Sequence, residues 1–196
     1  AFLATITPTA EHAFGLMLAL IRHTPWAHQT VLAGHWNRRP FGAPAMLSRM
    51  RLGVVGYGRL GRLVGRYGAA FGMAVRYFDH LPKAAEPPAE PAPSMDSLFA
   101  WADVVSLHLP ANAATQGIVD ARLLSCCRTG AFLVNTARGE IIDEPALLAA
   151  LESGRLGGAA LDVMEGEFAP DFNAADHPLV RYARSHDNLL LTPHIG

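Results

Sequence analysis

LGVVGYGRLG, from Leu52 to Gly61, is the stretch of sequence that decides the fold. Its apolar first half predicts a buried strand, Leu52–Val55, and the glycine pattern that follows predicts a tight turn that opens a helix. In such a turn the first glycine permits the bend, the second lets a pyrophosphate approach the backbone, and the third lets the helix pack closely on the strand. The free N–H groups at the helix N-terminus favour an anion at the same place. A lone Gly-x-Gly-x-x-Gly is weak evidence, so its surroundings decide whether it binds a dinucleotide.

Short β-rich runs alternate with helix-like runs along the rest of the chain. The predicted strands are Leu52–Val55, Met73–Phe78, Val104–Leu107, Ala131–Val134, Ala159–Leu161 and Leu189–Leu191. The predicted helices are Arg59–Phe71, Met95–Ala102, Ala121–Ser125 and Glu144–Ser153. Asp143 is the predicted N-cap of the last of these helices, and Gly154 lies just past its end. The alternation predicts an α/β fold, a doubly wound parallel sheet of six strands (a Rossmann fold) with helices on both faces.

Two segments fall outside this alternation. Pro82–Pro93 is rich in proline and is interpreted as an extended surface loop. Thr24–Met50 has no clear period and is interpreted as an irregular arm, whose Trp26 and Trp36 pack either on another subunit or on their own domain. A leading helix precedes this arm, with Thr7 as its predicted N-cap and a proline at its first helical position.

The chain is interpreted as one domain over residues 1–196. The leading helix and arm take residues 1–50, and the Rossmann core takes residues 51–196. The sequence begins with Ala1, has no signal-peptide pattern and ends soon after His194, a residue assigned to catalysis below. We therefore expect it to be a piece of a longer protein.

Composition restricts the class of protein. Hydrophobic residues make up 51% and charged residues 17% of the 196, so the chain can bury a core. A formal net charge of −1 disfavours a nucleic-acid surface and a polybasic membrane patch. The longest apolar stretch, Ala13–Ile21, is too short to span a bilayer. Cys126 and Cys127 are adjacent, which suits neither a disulfide framework nor a zinc site, and free thiols favour a reducing, cytoplasmic compartment.

An acidic residue strengthens the interpretation of the glycine loop. Asp79 ends the predicted strand that follows the loop's helix, where a carboxylate would hold the hydroxyls of a ribose. Because a carboxylate repels a 2′-phosphate, NAD is favoured over NADP. The alternative is that Asp79 only caps the turn that follows it.

Three polar residues, Arg138, Glu167 and His194, each follow a predicted strand, and ligands of doubly wound sheets lie beyond the carboxyl ends of the strands. A guanidinium grips a carboxylate through two hydrogen bonds, an imidazole passes a proton to a carbonyl oxygen, and a nearby carboxylate orients that imidazole and favours its protonated form. Together they suit reduction of a 2-oxo acid, although each alone could be an ordinary surface or loop residue.

His108 also lies at a strand end and is expected near the cofactor. The remaining histidines show no paired ligand spacing, so we expect no metal site.

Several motifs in order along the chain resemble one known family. They are Ala10-Glu11-His12-Ala13, Gly34-His35-Trp36, Leu52–Gly61, Ser106-Leu107-His108-Leu109-Pro110, Asn135-Thr136-Ala137-Arg138-Gly139, Gly158–Val163 and Leu191-Thr192-Pro193-His194-Ile195-Gly196. On these motifs, which extend over nearly the whole chain, the sequence resembles the NAD-binding domain of the D-isomer-specific 2-hydroxyacid dehydrogenases.

The resemblance implies roles for individual residues. Arg138 would bind the substrate carboxylate, His194 would be the acid/base and Glu167 its carboxylate partner. The implied NAD-binding residues are Gly56, Tyr57, Gly58, Arg59, Leu60, Gly61, Asp79, His108, Leu109, Pro110, Thr115, Thr136, Ala137, Arg138, Asp162 and His194. An acid at position 167 speaks against formate oxidation. The sequence departs from the family pattern where Phe168-Ala169-Pro170 replaces a proline directly after the glutamate, and in the proline-rich Glu86–Pro93 segment.

The expected function is therefore an NAD-dependent oxidoreductase that interconverts a 2-oxo acid and a D-2-hydroxy acid. The phosphoglycerate, hydroxypyruvate or glyoxylate, and lactate types stay open. The alternative is an NAD(H)-sensing, corepressor-like interaction protein of the same fold. The resemblance further implies a homodimer through the leading helix and arm, and a substrate domain absent from this chain, without which we expect little turnover.

Overall fold

The structure, a computed structural model, describes residues 6–42, 45–81 and 87–196. The helices are α1 (Thr7–Ile21), α2 (Thr24–Leu32), α3 (Arg59–Ala70), α4 (Met95–Trp101), α5 (Ala121–Cys126), α6 (Glu144–Glu152) and α7 (Pro178–Ala183). The strands are β1 (Arg51–Val55), β2 (Ala74–Phe78), β3 (Ala89–Pro91), β4 (Val104–Leu107), β5 (Ala131–Asn135), β6 (Leu156–Leu161) and β7 (Leu189–Leu191). None of the helices described is long and apolar enough to cross a membrane.

All seven strands form one parallel sheet in the order β3-β2-β1-β4-β5-β6-β7. In the centre, Leu52 of β1 lies opposite Val75 of β2 and Val104 of β4. A parallel strand covered on both faces has to be apolar along its whole length, and every residue of β4 is buried. The order is that of a Rossmann sheet with one added edge strand, which confirms the predicted doubly wound architecture.

Helices cover both faces of the sheet and divide the core into two layers. Successive residues of a strand face opposite layers: Val54 packs with residues of α1 and α3, and Val55 with residues of α4, α5, α6 and α7. The predicted cap of α6 is confirmed, since Asp143 accepts a hydrogen bond from the backbone N–H of Ala146 at 3.0 Å. The predicted cap of α1 is wrong: Thr7 is already helical, and Ile6 precedes the helix without a side-chain cap.

The proline-rich segment contains a strand that the sequence did not predict. Ala89–Pro91 forms β3 and pairs in parallel with β2, placing Ala89 opposite Val75. Pro91 lacks a backbone N–H, but an edge strand has a partner on one side only and therefore tolerates it. The prediction of a surface loop is wrong for these residues, and its first part, residues 82–86, lies outside the described chain.

The arm begins with a helix and not with irregular chain. Thr24–Leu32 forms α2, with a proline in its first turn, and the prediction of irregular structure is wrong there. Beyond α2 the described part of the arm has two short 3-10 turns. Trp26 packs against the core layer of α1, whereas the side chain of Trp36 is 92% exposed. The short helix α7 was not predicted either.

Candidate active site

The predicted site residues lie along one edge of the sheet. Because all strands are parallel, their carboxyl ends meet at this edge, and the loops after them share it. The glycine loop follows β1, Asp79 follows β2 and His108 follows β4. Arg138, Glu167 and His194 are in the loops after β5, β6 and β7, respectively.

The glycine loop has the geometry that its sequence predicts. Gly56 has a φ of +86°, which favours glycine, and its N–H donates to the carbonyl of Phe78 at 2.8 Å. A Cβ added to Gly61 would collide with the carbonyl oxygen of Gly56, so α3 packs closely on the turn. A Cβ added to Gly58 would meet nothing within 4 Å. The backbone at Gly58 therefore faces open space, where a pyrophosphate fits beside the N-terminus of α3.

Asp79 joins the loops after β1 and β2. One carboxylate oxygen accepts a hydrogen bond from the N–H of Tyr57 in the glycine loop, and the other accepts from the N–H of Leu81, both at 2.9 Å. The second contact is the turn cap that we considered as the alternative. The first contact holds the carboxylate beside the glycine loop, so the two interpretations are compatible.

An apolar cavity of about 190 Å³ opens next to Asp79. Its lining contains the predicted cofactor residues Leu109, Pro110 and Thr115, together with Phe78 and Ile118. The hydroxyl of Thr115 donates to the carbonyl of Pro110 at 2.6 Å and so closes the loop on one side. The cavity offers the flat apolar contact that a nucleobase needs.

His194 and Glu167 meet at the other end of the edge. Nδ1 of His194 lies 2.7 Å from Oε1 of Glu167 and donates to it, which leaves Nε2 for a substrate. Both side chains are partly buried, and the ring of Phe168 lies 5.5 Å from the imidazole, centroid to centroid. The backbone of His194 is left-handed, with a φ of +53°. Two residues from the loops after separate strands thus form one imidazole–carboxylate pair.

Arg138 lies at the same edge but apart from that pair. Its guanidinium is exposed and donates to the carbonyl of Ala137 at 2.6 Å; among the described residues no hydrogen bond joins it to Glu167 or His194. The buried side chain of Asn135 fixes the turn, accepting from the N–H of Ala137 at 3.0 Å and donating to the carbonyl of Arg138 at 2.8 Å. The guanidinium is therefore held on a rigid turn and available to an anion.

Asp162 organises the backbone around His194. The residue is 1% exposed, and its carboxylate accepts from the hydroxyl of Thr192 at 2.5 Å and from the N–H groups of Ile195 and Gly196 at 3.1 and 2.9 Å. Nε2 of His12, from α1, is 3.2 Å away. Burial alone would raise the pKa of Asp162, but the hydrogen bonds outweigh it and hold that pKa below its ordinary value.

Two of these partners were missed as site residues by the sequence analysis. His12 and Thr192 both stand in motifs quoted for the family resemblance, but nothing in the sequence shows that α1 reaches the loop after β7. The signal that could have found them is the buried position of Asp162 itself. A carboxylate at the end of an apolar strand needs several donors, and these lie in the adjacent loops.

His108 lies below the glycine loop as a neutral imidazole. Burial lowers its pKa from the ordinary 6.5 to about 4. Its Nε2 is 2.9 Å from the hydroxyl of Ser106, whereas its Nδ1, like the hydroxyl of Thr136, is buried without a partner among the described residues. Polar atoms left unpaired at this edge are available to a bound dinucleotide.

Comparisons with known proteins identify the family of this chain. Residues 14–196 match the family described as D-isomer specific 2-hydroxyacid dehydrogenase, NAD binding domain. The D-3-phosphoglycerate dehydrogenase of Bacillus subtilis (strain 168) is 38% identical over 192 residues, which cover 96% of this chain and 34% of that protein. The hydroxypyruvate reductase of Thermotoga maritima is 35% identical over 193 residues, covering 98% of this chain and 60% of that protein.

A solved structure extends the likeness to the fold. The D-lactate dehydrogenase from Aquifex aeolicus, complexed with NAD and lactic acid, superposes with a TM-score of 0.86 at 32% identity, over 96% of this chain and 59% of that one. The chain therefore spans between 34% and 60% of the length of these relatives. The family match, the parallel sheet and the glycine loop together lead to one conclusion: the chain belongs to the NAD-binding domain family of the D-isomer specific 2-hydroxyacid dehydrogenases.

Proposed function

We propose that this chain provides the cofactor-binding and acid/base part of an NAD-dependent oxidoreductase that interconverts a 2-oxo acid and a D-2-hydroxy acid. The observation that carries the proposal is the 2.7 Å contact between His194 and Glu167 at the sheet edge that also bears the glycine loop. The named relatives act on small acids of this class, and the choice among phosphoglycerate, hydroxypyruvate or glyoxylate, and lactate types stays open.

His194 is the proposed acid/base. Because Nδ1 donates to Glu167, Nε2 is the atom that exchanges a proton with the substrate oxygen. The carboxylate of Glu167 orients the ring and stabilises the imidazolium that forms in the oxidation direction. Arg138 is proposed to bind the substrate carboxylate through two parallel hydrogen bonds, for which its exposed guanidinium is suited.

NAD is the proposed cofactor of this site, and when bound it supplies or accepts the hydride. The N-terminus of α3 and the open space at Gly58 favour its pyrophosphate. Asp79 is proposed to hold the ribose hydroxyls and to disfavour a 2′-phosphate, and the cavity lined by Leu109 and Pro110 suits the adenine ring.

The replacement His194→Ala in the complete protein that contains this chain tests the assignment. We expect turnover to fall by about 10²- to 10⁴-fold, since an acid/base is lost, while NADH affinity changes little. Steady-state kinetics and fluorescence titration with NADH measure the two effects. His186→Ala is the matched control, because His186 is exposed and lies outside the loops that form the site. Full activity of His194→Ala would contradict the role.

A screen of 2-oxo acids with NADH tests the reaction class and names the substrate. Phosphohydroxypyruvate, hydroxypyruvate, glyoxylate and pyruvate cover the open types, and we expect consumption of NADH with at least one. Absence of consumption with every acid would favour the NAD(H)-sensing alternative. A substrate domain outside these residues is also proposed, since closure over the acid excludes water; the isolated chain should therefore turn over far more slowly than the complete protein.

The proposed homodimer forms through α1, α2 and the arm. Exposed apolar side chains support it: Val31, Leu32 and Trp36 are all exposed, and Val31 and Trp36 line one groove. Light scattering on the purified chain measures the mass, and Trp36→Ser should shift it towards the monomer. A monomer for the unaltered chain at working concentration would contradict the proposal.

A cytoplasmic location is proposed as well. Cys126 and Cys127 are both free, and Cys127 is buried, where desolvation raises the pKa of its thiol to about 12. Such thiols persist in a reducing compartment. Fractionation of cells that express the complete protein tests this.

A further inference from the structure

A buried carboxylate outside the site described above holds both ends of one loop. Glu144, the first residue of α6, is 12% exposed at its side chain. One of its oxygens accepts from the backbone N–H of Glu165 at 2.8 Å, and the other pairs with Nε2 of His177 at 3.1 Å. A single side chain therefore fixes residue 165 and residue 177.

The loop between these two points carries Glu167. It connects β6 to α7, and most of its residues are exposed, including the ring of Phe168. Its internal backbone contacts near the acid are a long hydrogen bond from Glu167 to Met164 at 3.4 Å and one from Ala169 to Gly166 at 2.8 Å. The position of Glu167 against His194 thus depends on how firmly the ends of the loop are held.

The side chain of His177 has one polar partner in the described structure. Its side chain is 13% exposed, and the ring of Phe172 lies 5.8 Å from it, centroid to centroid. Its Nδ1 is buried without a hydrogen-bond partner among the described residues, so Nε2 and Glu144 carry the polar contact. A largely buried pair of this kind is strongly affected when one partner is removed, because the other is left buried and unpaired.

The surroundings make Glu144 costly as a purely structural residue. Burial raises its pKa, and the negative charges of Glu165 and Glu140 act in the same direction; the N–H of Glu165 and the imidazole of His177 oppose them. Replacing a buried ion pair by apolar residues is often neutral or stabilising. An apolar residue, however, could not accept hydrogen bonds from the N–H of Glu165 and the imidazole of His177 at the same time.

We propose that Glu144 is a positioning residue: with His177 it fixes the loop after β6 so that Glu167 stays against Nδ1 of His194. The link to turnover rests on the proposed function of His194 and Glu167. The effect of Glu144 on the position of Glu167 does not rest on that function, because the contact between Glu167 and His194 exists in the chain without cofactor or acid.

The experiment compares Glu144→Gln and His177→Ala with the control Glu152→Gln, an exposed glutamate at the other end of the same helix. The first readout is the proton resonance of the imidazole N–H that His194 donates to Glu167, assigned by its loss in His194→Gln. The second is the exchange rate of the Glu165 amide. Both are measured on the chain with no ligand added.

We expect the imidazole resonance to weaken and the Glu165 amide to exchange about tenfold faster in Glu144→Gln, and the imidazole resonance to weaken in His177→Ala, with no change in Glu152→Gln. In the complete protein, kcat should fall about tenfold with the KM for NADH unchanged, and the pH profile of kcat should shift. An unaltered imidazole resonance in both variants would overturn the proposal.

Two outcomes separate this proposal from the proposed function. If the resonance weakens but the unaltered complete protein reduces no 2-oxo acid, the positioning role stands and the reaction is wrong. If Glu144→Gln does not fold, His177→Ala decides on the imidazole resonance alone, because it removes one anchor and leaves the hydrogen bond to Glu165.

Discussion

Two parts of the same sheet edge are built on different principles. The nucleotide half, meaning the loops after β1, β2 and β4, offers backbone N–H groups, an open space at Gly58 and an apolar cavity. The reaction half, meaning the loops after β5, β6 and β7, offers side chains fixed by buried carboxylates. In the reaction half Asp162 contacts the loop after β7 and His12 of α1, and Glu144 contacts the N–H of Glu165 and the imidazole of His177.

The difference suits the roles proposed for the two halves. Binding a dinucleotide needs room and backbone donors, which a glycine turn provides with few side chains. Moving a proton needs an imidazole held in one orientation, and orientation requires contacts on several sides. We therefore expect substitutions in the reaction half to affect turnover, and substitutions in the nucleotide half to affect affinity or stability.

Among the substitutions that compare the two halves, Arg138 gives the largest expected effect, and it tests whether the reaction half depends on fixed geometry. In Arg138→Gln of the complete protein, kcat/KM for the acid should fall by about 10³-fold, since a charge-assisted pair with the substrate is lost. Stability should change by less than about 0.5 kcal/mol because the side chain is exposed. Arg138→Lys is the matched variant, and its kcat/KM should lie between those of the unaltered protein and Arg138→Gln. An unchanged KM and kcat for Arg138→Gln would remove the assigned role.

The acid sensitivity of the two halves should differ as well. The pKa of His108 is lowered from 6.5 to about 4 by burial, so between these pH values the unfolded chain binds a proton that the folded chain does not. The stability that neutral His108 contributes is complete above 6.5 and is lost as the pH falls towards 4, by about 3 kcal/mol. Asp162, whose pKa is held below 3.8, keeps its contribution until the pH falls below that value.

Urea unfolding of the chain at a series of pH values measures this effect. In His108→Gln the slope of stability against pH between about 6.5 and 4 should flatten, as linkage requires. His186→Gln, at an exposed histidine, serves as the control and should keep the slope. The same slope in both variants would show that His108 is not the buried neutral group.

A pair of glycines separates packing from binding within the nucleotide half. Gly61→Ala should cost about 2 kcal/mol of stability, since its Cβ meets the carbonyl oxygen of Gly56. Gly58→Ala should change stability by less than about 0.5 kcal/mol, because nothing lies within 4 Å of the added carbon and φ is −81°. It should instead weaken NADH binding about tenfold. Thermal unfolding and NADH titration measure both, and equal stability losses would contradict the comparison.

Asp79 gives the smallest expected effect. In Asp79→Asn the preference for NADH over NADPH should fall about tenfold, because a 2′-phosphate no longer meets a negative charge while an oxygen acceptor remains. Parallel titrations with the two nucleotides measure the ratio. Asp187→Asn, at an exposed carboxylate before β7, is the control. A constant ratio in Asp79→Asn would leave only the turn-capping role.

The fold could be predicted where burial dictates the sequence. Strands covered on both faces have to be apolar, which is why β1 and β4 are visible in the sequence. The edge strand β3 was not visible, because Ala89–Pro91 is short and pairs on one side only, so proline is allowed. The arm helix α2 has no buried residue, and a helix without a buried face leaves no period to detect.

The sequence could predict those site residues that follow directly after strands. The parallel order brings the residues that follow β6 and β7 together, and the structure places Glu167 and His194 in contact. The supporting contacts follow a different logic. That Glu144 reaches His177, and His12 reaches Asp162, depends on how helices pack over the sheet. No local sequence pattern indicates which side chains this helix packing brings into contact.

The left-handed backbone conformation of His194 has an energetic cost. A φ of +53° costs a side chain with a Cβ about 1 kcal/mol, a penalty that glycine escapes. Exchange of His194 for glycine would relieve this backbone strain, but it would also remove the hydrogen bond to Glu167. In the proposed function, this backbone strain is the cost of holding an imidazole against Glu167.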